Sequence, residues 1–161
     1  MIDSGFAHSH PFFTTHSFAS SVVLAPGAIN RTRDGNGHGT GESTNIFAVA
    51  PGATFIGIKV DNENDPRAGA SILEGFQEAL RHSPQVISVS LGYDLCTSDP
   101  ITGARTSNTP LAELPRNLVA LEAEIQAAVA SGIVVVFSAG NGHVSFPGDD
   151  AGGGVCRWSI H

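Results

Sequence analysis

Short apolar, β-branched runs alternate along this chain with helix-like segments, and few folds accommodate that order. Thr54 to Val60 (TFIGIKV) reads as a strand. Between Gly69 and His82, the apolar residues Ile72, Leu73, Phe76, Ala79 and Leu80 recur at spacings of three and four, which places them on one helical face. Val86 to Leu91 follows as a buried strand. Leu118, Leu121, Ile125, Ala128 and Val129 then mark a second amphipathic helix that ends at Gly132, and Ile133 to Ser138 is the next strand. Upstream, a helix opens at His38 and is stopped by Pro51-Gly52 near Ala50, while Met1 to Asp3 supplies the tail of another strand.

Strands that are apolar throughout must be covered on both faces, and helices between them imply right-handed crossovers in a parallel sheet. The expected fold is therefore α/β: three layers, with a mostly parallel sheet and helices on both faces. At 161 residues, 41% apolar and 14% charged, the chain fits one domain with a buried core. Both ends read as cuts, so residues 1–161 are expected to form a single partial domain. Ser4 to Gly37 is expected to be mostly loop, with a small strand at Ser21 to Leu24, and Tyr93 to Thr109 is a polar insert without periodicity.

A net charge of −7 leaves no basic stripe to neutralise phosphates, which argues against nucleic acid as a partner. The longest strongly apolar run, Ile133 to Phe137, is far too short to span a bilayer, and no signal-peptide pattern opens the chain. Cys96 and Cys156 make neither a zinc spacing nor a redox motif; they read equally as a disulfide of an exported protein or as two free thiols.

In open parallel sheets ligands sit outside the carboxyl ends of the strands, which here bear Asp3, Ser90-Leu91-Gly92 and Asn141. Asp3 in IDSG begins a tight turn, the ordinary use of Asp-Ser-Gly, or holds a carboxylate at the sheet edge. His38 lies among Gly35, Gly37, Gly39 and Gly41 in DGNGHGTGES, so backbone can pass close to its ring, although a surface turn would look the same. These glycines do not satisfy the dinucleotide fingerprint, because Thr40 breaks it, and no Lys follows to make a phosphate loop. Asn141 in SAGN is either a turn cap or an amide donor for a developing oxyanion.

Other polar clusters favour ordinary readings. His8, His10 and His16 are near enough in sequence to suggest a metal, but loop histidines are usually solvated. Asp61, Glu63 and Asp65 have the composition of a calcium loop, yet Pro66 replaces the glycine that such a turn needs, so a solvated acidic turn is expected. No metal ligand set and no cofactor are assigned; a structural calcium ion has no specific motif behind it.

Taken together, IDSG, DGNGHGT, SVSLG and SAGN occur in an order that resembles the subtilisin-like serine protease family. His10-Pro11-Phe12 and Val49-Ala50-Pro51-Gly52-Ala53 are similar to two further family segments, and the likeness spans roughly residues 1 to 150. The resemblance implies a serine endopeptidase acting on polypeptides, with Asp3 as the acid that orients His38, His38 as the general base and Asn141 in the oxyanion hole. It implies that Ser90, Leu91 and Gly92 dock substrate as a strand, and that Ala139 and Gly140 wall the pocket beside the cleaved bond. Secretion follows by the same analogy.

Two departures qualify the resemblance. Gly41 stands where most members continue HGTH, which alters how the helix start packs. The family's nucleophile lies in a Gly-Thr-Ser-x-Ala block, and no such block occurs in these 161 residues. Ser43 and Ser138 are poor substitutes, because neither sits at a strand-to-helix elbow. The chain alone is thus expected to be inactive, with a non-catalytic peptide-binding remnant as the alternative and an unfolded, truncated reading frame as a third possibility.

Overall fold

The computed structural model describes residues 1–65, 68–92, 97–98, 105–106 and 114–138, with 97–98, 105–106 and 114–117 described by backbone alone. The elements in chain order are β1 (Ile2–Asp3), α1 (Pro11–Thr14), β2 (Ser20–Leu24), α2 (His38–Val49), β3 (Phe55–Lys59), α3 (Ile72–Leu80), β4 (Val86–Val89), β5 (Thr97–Ser98), β6 (Arg105–Thr106), α4 (Leu114–Ala130) and β7 (Val134–Phe137). Five strands form one parallel sheet in the order β2-β3-β1-β4-β7, while β5 and β6 make a separate antiparallel pair inside the insert. The α/β expectation is met, and each expected strand and helix between residues 54 and 138 is present within a few residues of its expected bounds. Two elements were not foreseen: α1, too short to show a period, and the β5–β6 pair.

Side-chain alternation sorts the sheet into two faces. On one, Ile2, Ile58, Ile87 and Val89 pack with Ile72, Phe76 and Ala79 of α3 and Leu121 and Ala128 of α4. On the other, Val22 and Phe55 pack with Phe47 of α2 and with Phe6 and Phe13. Each large apolar side chain buried here contributes about 1.5–3 kcal/mol. Gly75 lets α3 press onto the first face, where an added Cβ would lie 2.8 Å from Val60 Cγ1 and 2.9 Å from Ile2 Cγ2. A capping box fixes the start of α3: Ser71 Oγ accepts from the Glu74 N–H at 3.2 Å and the Ser71 N–H donates to Glu74 Oε2 at 2.8 Å.

This arrangement corrects one expectation. The steps β2 to β3, β3 to β4 and β4 to β7 all advance in the same direction across the sheet, yet α2 covers one face and α3 and α4 the other. The three crossovers cannot share one hand. With α3 and α4 in the usual right-handed sense, β2-α2-β3 runs left-handed. That exception carries His38, and it brings the start of α2 to the face toward which Asp3 points, since Ile2 points to the other.

No helix among the described residues is long and apolar enough to cross a membrane.

Candidate active site

β1 is only two residues long, but it lies mid-sheet, pairing with β3 on one side and β4 on the other. Strand order turns about this point, so the crevice at its carboxyl end is the natural ligand position. Asp3 ends the strand and is fully buried. His38 is the first residue of α2, its side chain 42% exposed, and its Nδ1 lies 2.7 Å from Asp3 Oδ1. A carboxylate oxygen only accepts, so Nδ1 carries the proton and the lone pair of the neutral ring is left at Nε2.

The glycines around His38 have separate uses. Gly37 adopts φ 83°, a left-handed conformation that suits glycine, and the chain turns there into α2 without a side-chain cap. Gly39 lies against the Asp3 turn: an added Cβ would sit 2.3 Å from the Gly5 carbonyl oxygen and 2.9 Å from Asp3 Oδ1. Gly41, the departure noted in the sequence, faces open space among the described residues, so the helix start is not built around its smallness.

Sequence reasoning missed the groups that hold this pair. Asp34 Oδ2 accepts from the Thr40 N–H at 2.9 Å and from Thr40 Oγ1 at 2.6 Å. Its Oδ1 accepts from the Gly37 N–H at 2.9 Å and Ser4 Oγ at 3.0 Å. Ser4 Oγ in turn accepts from the Gly39 N–H at 3.1 Å, and the Ser4 N–H donates to Asp3 Oδ1 at 2.7 Å. One carboxylate therefore ties the loop before His38, the first turn of α2 and the turn after Asp3 together. Glu42, one helical turn beyond His38, accepts from Ser90 Oγ at 3.3 Å and links α2 to the end of β4.

The remaining expected site residues are placed as follows. Ile2 pairs with Val89, so Ser90 follows β4 directly beside Asp3; Leu91 is half-buried against the α3–α4 core and Gly92 is exposed. Ala139, Gly140 and Asn141 lie outside the described residues, as do Cys96 and Cys156. The chain is described up to Ser138, whose N–H donates to the Val89 carbonyl at 3.1 Å. Ser43 is buried in α2 with Oγ donating to the Thr40 carbonyl at 2.7 Å, a position unsuited to attack on a substrate.

The histidine and acidic clusters resolve into other contacts. The His8 ring packs on Phe13, His10 Nδ1 accepts from the Phe12 N–H at the start of α1, and His16 stacks on Phe18. Among the described residues, no three His, Cys, Asp or Glu side chains are grouped so as to hold a metal. Within the acidic turn at 61–65, Glu63 departs from the solvated reading: its side chain, only 8% exposed, accepts from Lys59 Nζ at 2.7 Å, and Asn62 Oδ1 caps the turn by accepting from the Asn64 and Asp65 N–H groups.

Charge follows from these contacts. The hydrogen bond to Asp3 raises the His38 pKa above its ordinary 6.5 against some desolvation, with Asp3, Glu42 and Asp34 adding attraction. Burial pushes the Asp3 carboxyl up, opposed by the bonds from His38 and Ser4. Partial burial also pushes Asp34 up, but the donors on Thr40, Gly37 and Ser4 outweigh it and hold the carboxyl below 3.8.

The signs set two pH windows. A raised His38 value favours the folded state fully below 6.5, and this contribution is lost as pH rises through the folded value. A lowered Asp34 value contributes stability that is present above 3.8 and lost as pH falls through the folded value. In a two-dimensional NMR titration, the His38 ring is expected to deprotonate above 6.5. A midpoint at or below that value would contradict the hydrogen-bonded geometry.

The family model described as the subtilase family matches residues 1–155. Over 150 residues the chain is 30% identical to "Subtilisin E" of Bacillus subtilis (strain 168), covering 88% of this chain and 33% of that protein. It is 31% identical over 150 residues to "Subtilisin DY" of Bacillus licheniformis, covering 88% and 46%, and 28% identical over 159 residues to "Subtilisin Savinase" of Lederbergia lenta, covering 91% and 49%. The chain thus spans between a third and a half of the length of these relatives. With a match over nearly its whole length, and with the fold and the Asp3–His38 pair in place, the chain belongs to the subtilase family.

Proposed function

We propose that residues 1–161 form part of a single peptidase domain in a longer serine endopeptidase, and that they supply its acid, its base and an oxyanion donor but not its nucleophile. The observation that supports this most directly is the 2.7 Å contact between a buried Asp3 and a solvent-facing His38 at the carboxyl end of the sheet. In this reading a serine hydroxyl from outside the chain attacks the peptide carbonyl carbon. His38 Nε2 takes the hydroxyl proton and passes it to the leaving amine as the C–N bond breaks, and water then hydrolyses the acyl-enzyme. Asp3 keeps the proton on Nδ1 and stabilises the imidazolium. Asn141 donates to the oxyanion, Ser90 to Gly92 pair with the peptide backbone, and Ala139 and Gly140 wall the pocket. The chemistry needs no cofactor, and export follows the family analogy.

A fluorophosphonate reagent and a peptide substrate test the reading on two proteins, the whole encoded protein and residues 1–161 alone. The whole protein is expected to be labelled at a serine beyond His161 and to turn over substrate, with both lost on His38→Ala, while the shorter chain shows neither. Labelling and turnover by residues 1–161 alone would overturn the assignment of the nucleophile. Peptide binding by the whole protein without labelling or turnover would replace the protease with a peptide-binding module.

A further inference from the structure

Lys59 and Asp3 are register partners on neighbouring strands, so both side chains leave the sheet on the α2 face. Lys59 is fully buried, and its ammonium donates to the Asn30 carbonyl at 3.2 Å, the Arg33 carbonyl at 2.6 Å and Glu63 Oε1 at 2.7 Å. All three of its protons are used. Glu63 spreads the same grip: Oε1 also accepts from the Gly35 N–H at 2.9 Å, while Oε2 meets Arg33 Nε at 3.2 Å and Asn30 Nδ2 at 3.3 Å. The pair therefore clamps the loop at residues 30, 33 and 35, on either side of Asp34. The clamp is tight, because an added Cβ at Gly35 would lie 3.1 Å from Glu63 Cγ, and one at Gly5 would lie 2.9 Å from the Arg33 carbonyl oxygen.

A buried ion pair adds little net stability over an apolar pair of similar volume, since desolvation offsets the attraction. Its distinctive property is geometric: it fixes two charged groups and the backbone they touch in one arrangement. Here that backbone carries Asp34, whose carboxylate bonds Gly37, Thr40 and Ser4 and so sets where His38 begins α2. We propose that Lys59 and Glu63 are positioning residues, a buried strut that holds the Asp34 loop and thereby keeps His38 on Asp3. The inference rests on the reading of His38 as the base.

The groups that act on His38 by charge are Asp3, Glu42 and Asp34. Glu63 is held below its ordinary 4.5 chiefly by the bond from Lys59, with the Gly35 and Asn30 donors adding to it. A strut variant that moves the His38 titration without a net change of charge would therefore report geometry rather than field. The double variant Lys59→Met/Glu63→Leu meets this condition at similar volume but leaves the Asn30 and Arg33 carbonyls and the Gly35 N–H without these partners; Lys59→Met/Glu63→Gln, equally neutral in net charge, keeps an acceptor for Gly35 and is the milder companion.

In residues 1–161, the His38 ring is to be titrated by NMR in the wild type, in both strut variants and in Asp3→Asn, with folding checked by thermal unfolding. The strut predicts that each folded strut variant shifts the His38 midpoint down toward 6.5 and weakens the downfield Nδ1 proton signal. In the whole protein, kcat is expected to fall about tenfold with KM little changed. Folded variants with an unchanged His38 midpoint would overturn the proposal and leave the pair a purely structural feature. Asp3→Asn separates the two readings: if it too leaves the midpoint unchanged, the pairing of Asp3 with His38 is what fails.

Discussion

Replacing Asp3 with Asn is expected to slow peptide hydrolysis by the whole protein by about four orders of magnitude while leaving it folded. The side chain keeps its size, but the Ser4 N–H and His38 Nδ1 both meet Oδ1, each at 2.7 Å, so an amide cannot offer an acceptor to the first and a donor to the second. Two things are lost. The negative charge that stabilises an imidazolium is gone, so the His38 midpoint drops toward 6.5. With the amide nitrogen turned toward His38, the bond from Ser4 is given up and the tautomer with the proton on Nε2, the nitrogen that must take a proton, is favoured. Burial adds to the effect, because Asp3 is wholly screened from water and no solvent replaces its charge. The measurements are kcat/KM of the whole protein and the His38 titration in residues 1–161. A loss of less than tenfold would remove Asp3 from the proton-transfer machinery.

What the sequence revealed and what it concealed divide along the range of the interaction. Strands and helices are short-range statements, and TFIGIKV or the spacing of Ile72, Phe76 and Ala79 encodes them locally. Asp3 and His38 were legible because each sits in a compact glycine-containing motif. The hand of the β2-α2-β3 crossover was not, since periodicity states which residues face a sheet but not which face a helix takes. Asp34 was read only as the first letter of the His38 motif; its bond from Ser4 reaches 30 residues back. Glu63 was read as solvated because acidic turns usually are, and its partners Asn30, Arg33 and Gly35 lie across another element. The one available clue was Lys59, a lysine inside an otherwise apolar strand, which must find a countercharge if it is buried.

Adding one methyl group at Gly39 is expected to be the most damaging small change near the site. In Gly39→Ala the new Cβ would stand 2.3 Å from the Gly5 carbonyl oxygen and 2.8 Å from Asp3 Cβ, about 1 Å short of ordinary contact with the first. Neither neighbour is the end of a flexible side chain. Gly5 is held by the loop against it, where the Arg33 carbonyl oxygen already lies within 2.9 Å of its own would-be Cβ, and Asp3 is fixed in mid-sheet between β3 and β4. The strain must therefore move the start of α2, and His38 precedes Gly39 directly. A displacement of about 1 Å would stretch the 2.7 Å bond from Nδ1 to Asp3 past hydrogen-bonding distance and carry Nε2 off the line of proton transfer. Hydrolysis by the whole protein is expected to fall about 100-fold, and overpacking is expected to lower stability by about 1–3 kcal/mol. Thermal unfolding and the His38 titration check both parts: the ring should titrate below its native midpoint, the direction expected for Asp3→Asn. Gly41→Ala provides the contrast, because its Cβ meets open space among the described residues. Equal losses from the two substitutions would show that helix propensity or folding, rather than the contact with the Asp3 turn, is what Gly39 serves.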